Sequence, residues 1–163
     1  MTADFERKLV DPLVPGALEA AVRRCTRPLV FTNGVFDILH RGHATYLAQA
    51  RSMGASLVLA LNTDASVRRL GKGDDRPVNA LADRAAVIAA LESVSIVTWF
   101  DDDTPLELVR RCAPDVLVKG GDWPVEKIVG GDLVRARGGR VVSIPFEHER
   151  STTALLGRIR GAG

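Results

Sequence analysis

Five short apolar runs limit what this chain can fold into more than any other feature. They lie at residues 29–33, 57–62, 95–100, 115–119 and 140–145. The first, Leu29-Val30-Phe31-Thr32-Asn33, follows Pro28 and stops at Gly34. Each run is nearly continuous in apolar residues rather than alternating, the pattern of a strand covered on both faces. The stretches between them carry a helical period. Tyr46, Leu47, Ala50 and Met53 share one face of a helix expected over 41–52, and Leu81, Ala85, Ile88 and Leu91 do the same over 80–92. Thr104-Pro105-Leu106-Glu107 reads as a capping box with proline at the first helical position. Shorter helices are expected over 64–70 and 132–137, with a last one over 151–160. Strand alternating with helix about five times predicts an α/β fold, a doubly wound, Rossmann-like parallel sheet of about five strands with helices on both faces. Ligands bind such sheets beyond the carboxyl ends of the strands, where strand order reverses.

At 163 residues the chain has the size of one domain. Residues 1–27 read as a helical extension, with a helix over 16–24 on the sheet edge, and 28–163 as the ligand-binding domain. An apolar fraction of 46% excludes a dominantly disordered chain. A net charge of +2 is too small for a protein that coats nucleic acid, yet suits a phosphorylated ligand. Cys25 and Cys112 stand apart with no metal spacing, and read as reduced core thiols. Acids near the start and no apolar run of about 18 residues argue against a leader or a membrane span, so a cytoplasmic protein is expected.

The strongest chemical signal follows the first strand: Thr32-Asn33-Gly34-Val35-Phe36-Asp37-Ile38-Leu39-His40-Arg41-Gly42-His43. Asn33-Gly34 permits a tight turn and close approach of backbone to ligand. His40 and His43 flank Gly42 at the start of the next helix, whose free amides favour phosphate. Two imidazoles there can donate to oxygens whose charge grows in a transition state. Half a zinc site is the other reading of two such histidines, but no third ligand stands nearby in sequence.

This segment resembles the signature of the cytidylyltransferase-like nucleotidyltransferases, and within them the branch that adenylylates D-glycero-β-D-manno-heptose 1-phosphate in bacterial surface-glycan synthesis. Lys119-Gly120-Gly121-Asp122-Trp123, Arg150-Ser151-Thr152-Thr153, Asn62-Thr63-Asp64 and Arg76-Pro77-Val78-Asn79 extend the resemblance over most of the chain. It implies transfer of AMP from ATP to a heptose 1-phosphate, with Mg²⁺ accompanying the triphosphate and a homo-oligomeric enzyme. A separate sugar kinase upstream would supply the acceptor. His40, His43 and Lys72 are then catalytic. Thr32, Asn33, Gly34, Phe36, Gly42, Arg84, Lys119, Gly120, Gly121, Asp122, Arg150, Ser151, Thr152 and Thr153 hold the nucleotide. Asp64, Arg76 and Trp123 meet the acceptor, and no protein metal site is expected.

Several of these residues also have plain readings. Asp122 can serve a turn, Ser151 to Thr153 can cap a helix, and Asp64 can cap its own helix. The 71–77 segment is either a surface turn or a lid bringing Lys72 or Arg76 onto phosphates. The run Asp101-Asp102-Asp103 precedes a helix start and reads as complementing the helix dipole rather than as a metal site. Val35 and Glu149 depart from the common pattern, and Glu149 is expected to face solvent. A CTP-dependent enzyme acting on glycerol 3-phosphate or another polyol or sugar phosphate shares the first motif. A non-catalytic nucleotide sensor would be expected to lose a histidine or the Ser-Thr-Thr block. A dinucleotide-dependent dehydrogenase is disfavoured because the first turn lacks Gly-x-Gly-x-x-Gly.

Overall fold

The computed structural model describes residues 3–71, 73, 75–147 and 152–161. Its frame is a five-stranded parallel sheet of β1 (Leu29–Gly34), β2 (Ser56–Asn62), β3 (Ile96–Phe100), β4 (Val116–Gly120) and β5 (Arg140–Ile144), in the order β3-β2-β1-β4-β5. All pairings are parallel, with Phe31 opposite Val58 on one side of β1 and Leu117 on the other. Strand order reverses between β1 and β4, so the switch point lies beyond Gly34 and Gly120.

The helices are α1 (Ala17–Arg24), α2 (Arg41–Ser52), α3 (Asp64–Arg69), α4 (Leu81–Ala89), α5 (Leu106–Cys112), α6 (Gly131–Ala136) and α7 (Thr152–Arg160). Two apolar layers sandwich the sheet. Val30, Leu57, Leu59 and Leu61 meet Leu47 and Ala50 of α2 and Ile88 of α4 on one face. Leu29, Phe31, Val58 and Ala60 meet Leu18 of α1, Val109 of α5 and Val134 of α6 on the other. The inner strands β1 and β2 are apolar on both sides because both sides are covered, which explains their lack of alternation.

The N-terminal segment departs from expectation. Leu9 forms the edge bridge to Val97, and Val10 N–H donates to the Val97 carbonyl at 2.9 Å. The helix α1 instead lies over a face, its Leu18 buried among sheet residues. The start of α5 also differs. Pro105 occupies the N-cap position without a side-chain cap, and Leu106 is the first helical residue. Thr104 therefore stands one position too early for its hydroxyl to reach the helix amides, and the expected capping box is not formed. Cys25 and Cys112 are both free thiols, and burial pushes the Cys112 thiol up to about 12.

Candidate active site

The switch point opens into a cleft of about 400 Å³. Its lining draws on the turn after β1, α2, Arg76, the loop after β4, Phe146 just beyond β5, and the Thr152-Thr153 start of α7.

The turn after β1 is built around a strained aromatic. Phe36 has a φ of 48°, a left-handed conformation unfavourable for a bulky side chain. Its ring folds back over Gly34, where an added Cβ would sit 2.7 Å from ring carbon Cε2. Glycine at this position is therefore a packing requirement. The same ring lies 5.0 Å from the His43 ring, centroid to centroid, with the two planes tilted by 56°. His40 stacks on His43, with centroids 3.8 Å apart and planes 22° apart. His40 is the N-cap residue of α2, extended and without a side-chain cap, and Gly42 is buried between the two histidines in the first turn. The two imidazoles thus stand as a stacked pair against the cleft.

This packing sets the protonation state. Burial, and secondarily the neighbouring His40, hold His43 down at about 4, while the Ile38 backbone acts weakly in the opposite sense. The ring is neutral at neutral pH, so it acts as a hydrogen-bond donor rather than as a cation. Stability follows with a defined sign. The unfolded chain takes up this proton near 6.5 and the folded chain only near 4. Its contribution is complete above about 6.5 and is lost as pH falls towards 4. Thermal unfolding from pH 7.5 to 4.5 should show a falling melting temperature, and His43→Gln should flatten that fall.

Beneath the cleft, Thr32 is fully buried and its hydroxyl pairs with the Tyr46 hydroxyl at 2.5 Å. Burial pushes Tyr46 up to about 12, so it stays protonated. Thr32 therefore shapes the floor rather than facing a ligand. Across the cleft, Gly120 sits under two rings, and a Cβ there would meet Phe146 at 2.8 Å and Tyr46 at 3.2 Å, so the exposed Phe146 ring would have to shift. Gly121 follows with a φ of 101°, and its N–H donates to the Ile144 carbonyl at 2.8 Å. These glycines let the backbone itself form the wall where a flat ring could lie. Lys119 stands 5.9 Å from the Trp123 ring centroid, and half-exposed Trp123 borders the cleft. Asp122 is exposed.

A second cleft of about 370 Å³ shares the Asn33, Gly34, Val35, Lys119 and Trp123 floor and opens towards Asn62, Asp103, Thr104 and Lys127. Two adjoining clefts on one floor can hold two substrates with their reacting groups at the shared boundary.

Other expected site residues take different places. Arg84 is fully buried behind the β1 turn. It donates from Nε to the Asn79 carbonyl at 3.0 Å, from Nη1 to the Val35 carbonyl at 2.9 Å, and from Nη2 to Asp64 at 2.7 Å. It is a strut between three segments, away from the cleft lining. Asp64 answers that arginine and does not cap α3. Thr63 is the cap, its hydroxyl accepting from Ser66 N–H at 3.2 Å. The acidic run pairs with α3, because Asp103 lies 3.2 Å from Arg69 and Asp101 bonds Thr63 and Arg69. Arg76 is buried and paired with Asp37 rather than swinging freely on a lid. Lys72, His148, Glu149, Arg150 and Ser151 lie outside the described residues.

Residues 31–146 match the cytidylyltransferase-like family, well over half of the chain. The chain belongs to that family. Among its relatives, the D-beta-D-heptose 1-phosphate adenylyltransferase of Bordetella bronchiseptica is 59% identical over 98% of each chain. The bifunctional protein HldE of Magnetococcus marinus is 55% identical over 80% of this chain, which spans only 27% of that longer protein. A solved lipopolysaccharide core biosynthesis protein of Thermoplasma volcanium covers 75% of this chain and 98% of its own, with 27% identity and a TM-score of 0.60. The match to the cytidylyltransferase-like family runs from β1 to Phe146, and so includes the histidine pair and the Lys119-to-Trp123 wall. Among the described residues, no helix is long and apolar enough to cross a membrane.

Proposed function

We propose that the protein transfers the adenylyl group of ATP to D-glycero-β-D-manno-heptose 1-phosphate, releasing pyrophosphate and forming ADP-heptose in the cytoplasm. The observation that carries this reading is the end-to-end likeness, 59% identical over 98% of both chains, to a heptose 1-phosphate adenylyltransferase. The geometry supports it, since adjoining clefts suit a nucleoside triphosphate beside His40 and His43 and a phosphosugar beside Lys119 and Lys127.

An oxygen of the sugar 1-phosphate attacks the α-phosphorus of ATP. The new P–O bond forms as the bond to the bridging α–β oxygen breaks, and that electron pair leaves with pyrophosphate. The nucleophile is already an anion at neutral pH, so no general base and no covalent enzyme intermediate is required. The chain's work is alignment of the two phosphates and stabilisation of charge growing on the α-phosphate and leaving group. His40 and His43 supply donors at that point, and Lys72 is proposed as a further cation.

Mg²⁺ is expected to arrive on the triphosphate, because it keeps most of its waters and prefers phosphate oxygens to an all-protein cage. When bound, the ion neutralises charge on the departing pyrophosphate.

Pyrophosphate release should be measured with D-glycero-β-D-manno-heptose 1-phosphate and either ATP or CTP. Release with ATP and not CTP is the expected result. Release only with CTP would replace the base assignment and favour a cytidylyltransferase. Silence with both would overturn the proposed acceptor.

A further inference from the structure

Asp37 is the most deeply buried carboxylate near the cleft, its side chain fully shielded from solvent. It sits in the turn between β1 and α2, yet every partner comes from a segment some forty residues later. Arg76 Nε donates to it at 2.6 Å, Val78 N–H at 2.9 and 3.0 Å, and Asn79 N–H at 2.9 Å. The Asp37 carbonyl also accepts from the Asn79 side chain at 2.7 Å. Both carboxylate oxygens are therefore occupied, and the 76–79 segment is pinned against the turn that carries the histidines.

The consequence falls on Arg76, which is 7% exposed and lines the first cleft with His40, His43 and Thr152. Only its Nε is hydrogen-bonded among the described residues. Its two terminal amino groups have no acceptor among the described residues and are not among the buried unpartnered atoms, so they are open to the cleft and free to meet an anion there. A guanidinium fixed through Nε presents its outer nitrogens as a planar fork, the geometry that matches two phosphate oxygens. Among the described residues that line the cleft, Asp37 is the carboxylate, and it is already used by Arg76, while His40, His43, Lys119 and the two threonine hydroxyls can donate to an anion.

We infer that Asp37 and Arg76 form a prebuilt anion clamp. Arg76 binds the phosphate chain of the nucleotide, and Asp37 is the positioning residue that aims it. The inference rests on the reading that this cleft takes a nucleoside triphosphate, and it puts Arg76 on the phosphates, as the lid reading of 71–77 does, but as a residue fixed in place by Asp37 rather than carried in by a closing loop.

The test is equilibrium binding of inorganic pyrophosphate and of ATP, measured by calorimetry on the full chain. Arg76→Ala should weaken both by roughly 10- to 100-fold, the worth of one or two charge-assisted hydrogen bonds. Arg76→Lys keeps the charge but not the fork and should recover only part of the loss. Added guanidinium ion should restore pyrophosphate binding to Arg76→Ala. It should fail to do so in the Asp37→Asn/Arg76→Ala double variant, because nothing then orients the free cation. Equal rescue of both variants would remove the positioning role of Asp37. Wild-type pyrophosphate affinity in Arg76→Ala or Arg76→Lys, or no pyrophosphate binding by the wild-type chain, would overturn the clamp. Circular dichroism checks that each variant is folded, and Arg76→Lys carries the test if Arg76→Ala is not. Pyrophosphate binding needs neither base nor sugar. A wild-type chain that binds pyrophosphate through Arg76 but adenylylates no heptose phosphate would sink the proposed reaction and leave the clamp standing.

Discussion

His43→Ala should lower turnover by roughly 10²–10³ while leaving the affinity for ATP within a few-fold, the signature of a donor that matters most in the transition state. The imidazole packs against both the Phe36 and His40 rings, at 5.0 and 3.8 Å between centroids, and it is largely buried, so its orientation is set by packing before substrate arrives. A donor that needs no reorganisation is worth most where charge develops during the reaction. Its depressed proton affinity adds a second observable. With the free-protein value at about 4, kcat/KM for ATP should show no inflection from this group between pH 6 and 8. The bound triphosphate adds negative charge and favours the imidazolium, so any limb in kcat should lie above the one in kcat/KM. Near-normal turnover in His43→Ala would remove the role. A limb in kcat/KM near 6.5 would mean that the ring is hydrated rather than packed.

The frame was legible because parallel strands buried on both faces cannot hide. Residues 57–62 contain no outward polar position until Asn62, and a run that short, ended by Asn-Thr-Asp, fits a central strand better than a buried helix. The sequence placed Gly34 and the histidines at a strand-to-helix turn, and the structure puts them on the cleft, with the Phe36 ring folded over Gly34 as a further reason for the glycine. What escaped was the pairing of charges across the chain. Asp37 stands in the strongest motif, but a carboxylate's partner is set by tertiary contact, and Arg76 is 39 residues away. Arg84 was placed near the nucleotide for the same reason: a helix position says which face is inward but not which carbonyls wait there. A buried arginine has to satisfy its donors, and here the Val35 and Asn79 carbonyls and Asp64 do so. Tyr46 and Phe146 were also missed as cleft residues. One looked like an ordinary core position on a helix, and the other lies just beyond β5, although the rule that ligands bind past strand ends points directly at it. The expected cap at Thr104 failed by a single position, which is the usual scale of error at a helix end.

Arg84→Met distinguishes a strut from a ligand contact. The methionine roughly fills the space but offers no donor, leaving two carbonyls and the Asp64 carboxylate without their partner. Removing one member of such a buried set costs roughly 3 kcal/mol, because the remaining groups stay desolvated and unpaired. For a chain of this size each kcal/mol is worth about 2–4 °C, so the melting temperature should fall by about 6–12 °C. Asp64→Asn should cost much less. Its side chain is 30% exposed, so water can take over part of the bond, and the two carbonyl contacts of Arg84 remain. Well below the melting point, Arg84→Met should bind pyrophosphate within a few-fold of wild type, because the guanidinium points at backbone carbonyls behind the turn. A hundredfold loss of pyrophosphate affinity with an unchanged melting temperature would reverse the assignment and return Arg84 to the nucleotide. The contrast with Arg76 is then direct. Both arginines are buried and each is paired with one aspartate, but only one has its terminal nitrogens already satisfied by the protein, and that one should be read out in stability rather than in binding.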